Sequence, residues 1–96
     1  MLSTIPVLGA ACISQMGRDK GKTYIIIKVE SSEFVLVADG TTRKMATPKK
    51  KRVKHIKLIN HNASSALLVK IADGTAADNE IHKLLLKIQE PHPTNP

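Results

Sequence analysis

The chain has 96 residues, 42% of them apolar, and a formal net charge of +7. That length holds one domain with a modest core and no large cleft. A single cysteine, Cys12, excludes an intrachain disulfide framework and a cysteine-based zinc site, and no apolar run nears the roughly 18 residues of a membrane span.

The N-terminal stretch MLSTIPVLGAAC sets small residues before a cysteine, as a bacterial lipoprotein leader does. It lacks a basic n-region, Pro6 and Gly9 interrupt it, and Gly9 stands where that motif wants a leucine. The expectation is a soluble, cytoplasmic protein. Cys12, flanked by Ala10, Ala11 and Ile13, reads as a small core residue.

Gly9 to Gln15 is the first candidate strand. A polar loop follows at Gly17-Arg18-Asp19-Lys20-Gly21-Lys22, where two glycines predict a tight turn. Asp19 is expected to brace this loop through side-chain to backbone bonds. Thr23 to Glu30, TYIIIKVE, is rich in β-branched residues and reads as a strand. Ser31-Ser32 makes a turn, and Phe34 to Ala38 is the next strand. Asp39-Gly40 carries a two-residue hairpin signal, so Thr41 to Met45 is the expected fourth strand. Pro48 then opens a basic loop, because proline cannot donate to a ladder, and Lys54 to Ile59 reads as the last short strand. There His55, Lys57 and Ile59 share one face, and Ile56 and Leu58 the other.

Five short, tightly linked strands predict a mainly β fold, a small antiparallel barrel. Ile25, Ile27 and Val29 share one face of the second strand, and Tyr24, Ile26 and Lys28 the other. Val35 and Val37 likewise oppose Phe34, Leu36 and Ala38. A barrel has one inside, so apolar residues on both faces predict a cover on the outside.

The C-terminal third can supply it. From Ser64 the pattern becomes helical: Leu67, Leu68 and Ile71 mark a short helix stopped by Asp73-Gly74. Thr75-Ala76-Ala77-Asp78 fits a capping box whose Asp carboxylate reaches back. Ile81, Leu84, Leu85 and Ile88 then fall at i, i+3, i+4 and i+7, and Pro91 ends that helix. The expected division is a barrel over residues 1–61, a helical segment packed on it over 62–90, and a disordered tail at 91–96.

The charge is concentrated. Residues 41–57, TTRKMATPKKKRVKHIK, hold eight of the fifteen Lys and Arg and no acid. A block with no internal acid repels itself or binds a polyanion, and nucleic acid is the leading polyanion. PKKKRV also matches a monopartite nuclear import signal, a pattern that clustered lysines in RNA-binding loops reproduce by chance. Arg18, Lys20 and Lys22 add three cations. If the barrel sets their loop beside residues 48–54, the two form one patch.

The only aromatics are Tyr24 and Phe34, both in strands. Modules that stack single-stranded bases need exposed aromatic platforms. The expected target is therefore structured RNA, bound through backbone and shape. His55, His61, His82 and His92 have no metal-ligand spacing; His55 can contact RNA or pack, and packing is the preferred reading of the two. No nucleophile elbow or carboxylate pair is present, so neither an enzyme nor a cofactor is expected.

Gly17-Arg18-Asp19-Lys20-Gly21-Lys22, the apolar strand after it, Phe34-Val35-Leu36-Val37-Ala38-Asp39-Gly40, Arg43, Pro48-Lys49-Lys50-Lys51 and Lys54-His55 together resemble the KOW-domain RNA-binding proteins of bacteria. These are similar to the archaeal and eukaryotic large-subunit ribosomal protein family numbered fourteen. The resemblance covers about residues 8 to 60 and extends weakly to Asp78-Asn79-Glu80-Ile81. It implies an SH3-like barrel whose KOW loop and neighbouring basic loops lie on ribosomal RNA. Carried onto this chain, it points to Arg18, Lys20, Lys22, Arg43, Lys49, Lys50, Lys51, Arg52, Lys54 and His55; Lys44, from the same basic block, completes the expected RNA-contacting set.

The expected function is non-catalytic binding of structured, ribosomal RNA by a monomer, with neighbouring ribosomal proteins as further partners and no membrane. The competing expectation is a protein-interaction adaptor of the translation or transcription machinery, with the Ile81/Leu84/Leu85/Ile88 stripe as its partner surface.

Overall fold

The computed structural model describes residues 6–89. Strand β1 spans Ala10–Ser14, β2 Thr23–Val29, β3 Phe34–Ala38 and β4 Lys49–Arg52. A short 3-10 turn at Val53–His55 leads into β5, Ile56–Asn62. Helices α1, Ser65–Asp73, and α2, Asp78–Gln89, complete the described chain. The strands form one antiparallel sheet in the order β4-β3-β2-β1-β5, curled into a half-barrel of SH3-like form.

The sheet carries two apolar layers because its strands alternate. Cys12, Tyr24, Ile26, Val35, Val37, Val53 and Ile56 pack inside the curl. Ala11, Ile25, Ile27 and Ala38 point the other way, and Ile71, Ala76, Ile81 and Leu85 of the helical segment cover them. Ile25 and Ile81 are fully enclosed, and each such side chain contributes about 1.5–3 kcal/mol. The expected outer cover is thus present. In the stripe, Ile81 and Leu85 are buried in that cover, and Leu84 and Ile88 pack against it half-buried.

The fourth strand is not at Thr41 to Met45. Residues 41–43 bend, 45–46 turn and 47 bends again. The Asp39 carboxylate holds this loop, its Oδ1 accepting from the backbone N–H of Thr41 at 2.9 Å and of Arg43 at 2.8 Å. Asp39-Gly40 therefore opens a long loop, as aspartate does in an Asx-turn, and makes no two-residue hairpin. The strand is Lys49–Arg52, directly after Pro48. It pairs Phe34 with Arg52, Val35 with Lys51, Leu36 with Lys50 and Val37 with Lys49. Proline at the entry to an edge strand forfeits no ladder bond. The expected basic loop at 48–54 is thus a strand and a 3-10 turn, and β5 starts two residues later than expected, at Ile56.

The helix starts follow side-chain chemistry. Ser64 Oγ accepts from the Leu67 N–H at 3.2 Å, and Gly74 ends α1 at φ +78, as expected. At α2 the reciprocal carboxylate is Glu80, whose Oε1 accepts from the Ala77 N–H at 3.0 Å. Asp78, expected to reach back, instead accepts from the Met45 N–H at 2.7 Å and ties the 39–48 loop to the helix. No helix among the described residues is long and apolar enough to cross a membrane. The expected tail at 91–96 lies outside the described residues.

Candidate nucleic-acid interface

The loop between β1 and β2 is shaped by Gly17 at φ +87 and Gly21 at φ +92, a region that side chains rarely enter. Its backbone closes through Lys22 N–H to Asp19 O at 2.9 Å and Gly21 N–H to Ser14 O at 2.8 Å. This turn sends the Asp19 side chain into the mouth of the half-barrel, where it is only 6% exposed.

Four side chains converge on that carboxylate. Ser14 Oγ and Lys51 Nζ donate to Oδ1, each at 2.8 Å. Tyr24 OH at 2.8 Å and Lys49 Nζ at 3.0 Å donate to Oδ2. Lys51 Nζ also donates to Ser14 Oγ at 2.8 Å. Burial opposes the charge on Asp19, but the hydrogen bonds from Lys51, Lys49, Tyr24 and Ser14 outweigh it and hold the carboxyl well below the usual carboxylate range. Burial, and then the Asp19 hydrogen bond, push the Tyr24 hydroxyl up. Asp19 thus braces the mouth through side chains, where side-chain to backbone bonds are expected from the sequence.

Strand parity decides which lysines enter. Lys49 and Lys51 oppose Val37 and Val35 in register, and those valines line the inner core. Lys50 and Arg52 oppose Leu36 and Phe34 and point outward. The Lys51 side chain is 9% exposed, so its ammonium is held inside and is removed from the RNA-contacting set. Lys49 shares the same carboxylate but keeps a 32% exposed side chain. Two ammoniums on one carboxylate leave a local excess of one positive charge, and Lys49 carries it toward solvent.

The outward pair meets the aromatic ring. Lys50 Nζ lies 4.6 Å and Arg52 Cζ 5.1 Å from the Phe34 centroid, within cation–π range. Lys50 also reaches Glu30 at 3.6 Å. The acid-free block is therefore partly neutralised from elsewhere in the chain, by Asp19 and Glu30.

An open cleft of about 520 Å³ lies along β4, lined by Lys49 to Arg52 together with Phe34, Met16, Gly17 and His55. The glycine loop and the Lys49–Arg52 segment are thus neighbours, as expected. The exposed Arg18, Lys20 and Lys22 belong to the glycine loop but not to this lining. Lys22 instead borders a second depression with Asp39, Thr41, Thr42 and His82. Arg43, Lys44 and Lys54 are exposed and line neither hollow. His55, half-buried, lies at the cleft wall. Among the described residues, no ion pair engages Arg18, Lys20, Lys22, Arg52 or Lys54.

Ser14, Asp19, Tyr24 and Phe34 have structural roles here that composition and spacing do not announce. One signal exists: Asp19 is the only Asp or Glu before Glu30, alone in a loop of cations. The chain matches no family model and no curated protein.

Proposed function

We propose that this protein is a non-catalytic RNA-binding module that grips structured RNA through its phosphates, as a ribosomal or ribosome-associated protein. One observation carries the reading. Arg18, Lys20, Lys22, Arg52 and Lys54 are exposed without acid partners among the described residues, around a β4 strand that is itself pinned to the core. Exposed cations that form no ion pair suit phosphate contacts, which position a protein without reading bases. The resemblance to KOW-domain proteins supports ribosomal RNA as the target.

The test is the salt dependence of affinity for a ribosomal RNA hairpin. Phosphate contacts release counterions, so log Kd should rise with log salt by roughly 0.7 to 0.9 per phosphate neutralised. A flat salt response overturns the reading. Crosslinking in cells followed by RNA sequencing tests the finer claim, and enrichment of large-subunit ribosomal RNA is the expected result.

A further inference from the structure

We infer that the cleft along β4 is a stacking site for one unpaired base, so that the preferred RNA is a duplex carrying a bulged or looped-out nucleotide. The inference rests on the phosphate-binding reading and names the feature of the RNA that this surface selects. The geometry begins with register. Phe34 and Arg52 are opposed across β3 and β4, so their side chains leave the sheet on the same face. The guanidinium carbon lies 5.1 Å from the ring centroid. Phe34 is half-buried and belongs to neither apolar core. Its ring lies against Arg52 and Lys50 and belongs to the surface.

A guanidinium plane held in this way is a platform for a base, as an aromatic ring is. The cleft adds the remaining parts. Lys50 stands over the same ring, and Lys49, whose ammonium is held on Asp19, also lines the cleft. These two ammoniums suit the phosphates on either side of a flipped nucleotide. Met16, 54% exposed, and Gly17 also line the cleft. Methionine offers a pliable apolar surface to a base edge, and Gly17 leaves the approach free of a side chain. A fully paired duplex has no base to place there and gains only the phosphate contacts.

Two hairpin RNAs of equal charge test this, one fully paired and one with a single unpaired 2-aminopurine in its stem. The wild-type protein should bind the bulged hairpin more tightly, by roughly five- to a hundredfold for one stacked base, and should quench the 2-aminopurine fluorescence. Arg52→Lys keeps the charge and removes the plane; Phe34→Leu keeps an apolar side chain and removes the ring. Each should abolish the preference and the quenching, so that the two hairpins are bound alike, whatever change Arg52→Lys makes to the phosphate contacts that both hairpins share. Circular dichroism confirms that each variant is folded, and Arg52→Lys, at an exposed position, decides the matter if Phe34→Leu is not. Equal, salt-dependent binding of both hairpins by the wild type overturns the stacking site and leaves the phosphate reading standing. Binding of neither hairpin overturns both.

Discussion

Lys51 Nζ lies 2.8 Å from Asp19 Oδ1, and the two side chains are only 9% and 8% exposed. Breaking such a pair leaves one charge enclosed without a partner, which costs about 3–5 kcal/mol, whereas an apolar replacement of similar size is tolerated. Asp19→Ala strands Lys51 and should lower stability by about that amount. Lys51→Met leaves Asp19 its bond to Lys49 and should cost clearly less. Urea unfolding of the two variants checks this, and equal losses would contradict it.

The same carboxyl predicts a pH response. Asp19 releases its proton at lower pH when folded than when unfolded. Its contribution is therefore complete above the unfolded value near about pH 4 and is lost as pH falls below it, through the folded value. The urea midpoint of the wild type should fall steeply below about pH 4. Asp19→Asn should start lower and decline less. Glu80, held down by the Ala77 N–H and then by Lys70, has the same sign, so some slope remains. Parallel profiles for the two proteins would refute the assignment.

Cys12 is fully enclosed, and burial, partly offset by the Lys51 charge, pushes its thiol up to about 12. The folded thiol stays neutral where an unfolded one ionises, near about pH 8.5, so this group costs stability as the pH rises above that value. At pH 8.5 iodoacetamide should modify it at least about a hundredfold more slowly than in denaturant, since reaction waits on opening of the fold. Mass spectrometry of timed samples reads the rate. Labelling at the unfolded rate would show that the inner core is not closed.

Gly40 sits at φ +82 against the start of α2. A Cβ there would collide with the Asp78 carbonyl oxygen and stand 2.8 Å from the His82 nitrogen. Gly40→Ala should cost about 1–3 kcal/mol or push the 39–48 loop off the helix. Gly21, at φ +92 with nothing within 4 Å of its missing Cβ, should tolerate alanine better. Thermal melts rank the two, and the reverse order would be inconsistent with this packing.

Parity also divides the lysines in binding. Replacing Lys50 or Lys20, both exposed, with alanine should lower the log–log salt slope by about 0.7 to 0.9 if each meets one phosphate. Lys51→Met should leave the slope unchanged. A slope change for Lys51→Met equal to that for Lys50→Ala would place all the cations of β4 on the RNA.

The barrel's two apolar faces are legible in the sequence because β2 and β3 are rich in branched residues on a period of two. The helices are legible through Ser64, Gly74 and the stripe from Ile81 to Ile88. The fourth strand is not. Lys49–Arg52 has no strand-forming residue, and its pairing is imposed by β3, whose Val35 and Val37 need a neighbour. Thr41 to Met45 looks better locally, but the Asp39 carboxylate holds those residues in a loop. The Asp19 cluster is hidden for a different reason. Its lysines lie 30 and 32 positions away, so no local window contains the cluster. The eleven expected contact residues are accordingly ten Lys and Arg chosen by charge together with His55, and only the fold separates Lys51 from Lys50.

The alternation of Lys49–Arg52 means that charge on this strand has an address as well as an amount. Transposing its last two residues, by Lys51→Arg with Arg52→Lys, conserves composition, isoelectric point and mean hydropathy. It would nonetheless force a bulky guanidinium into the sealed seat beside Ser14 and take the planar group away from Phe34. Two proteins indistinguishable by every bulk property would differ in both folding and recognition. The four letters behave as a two-sided word whose spelling matters.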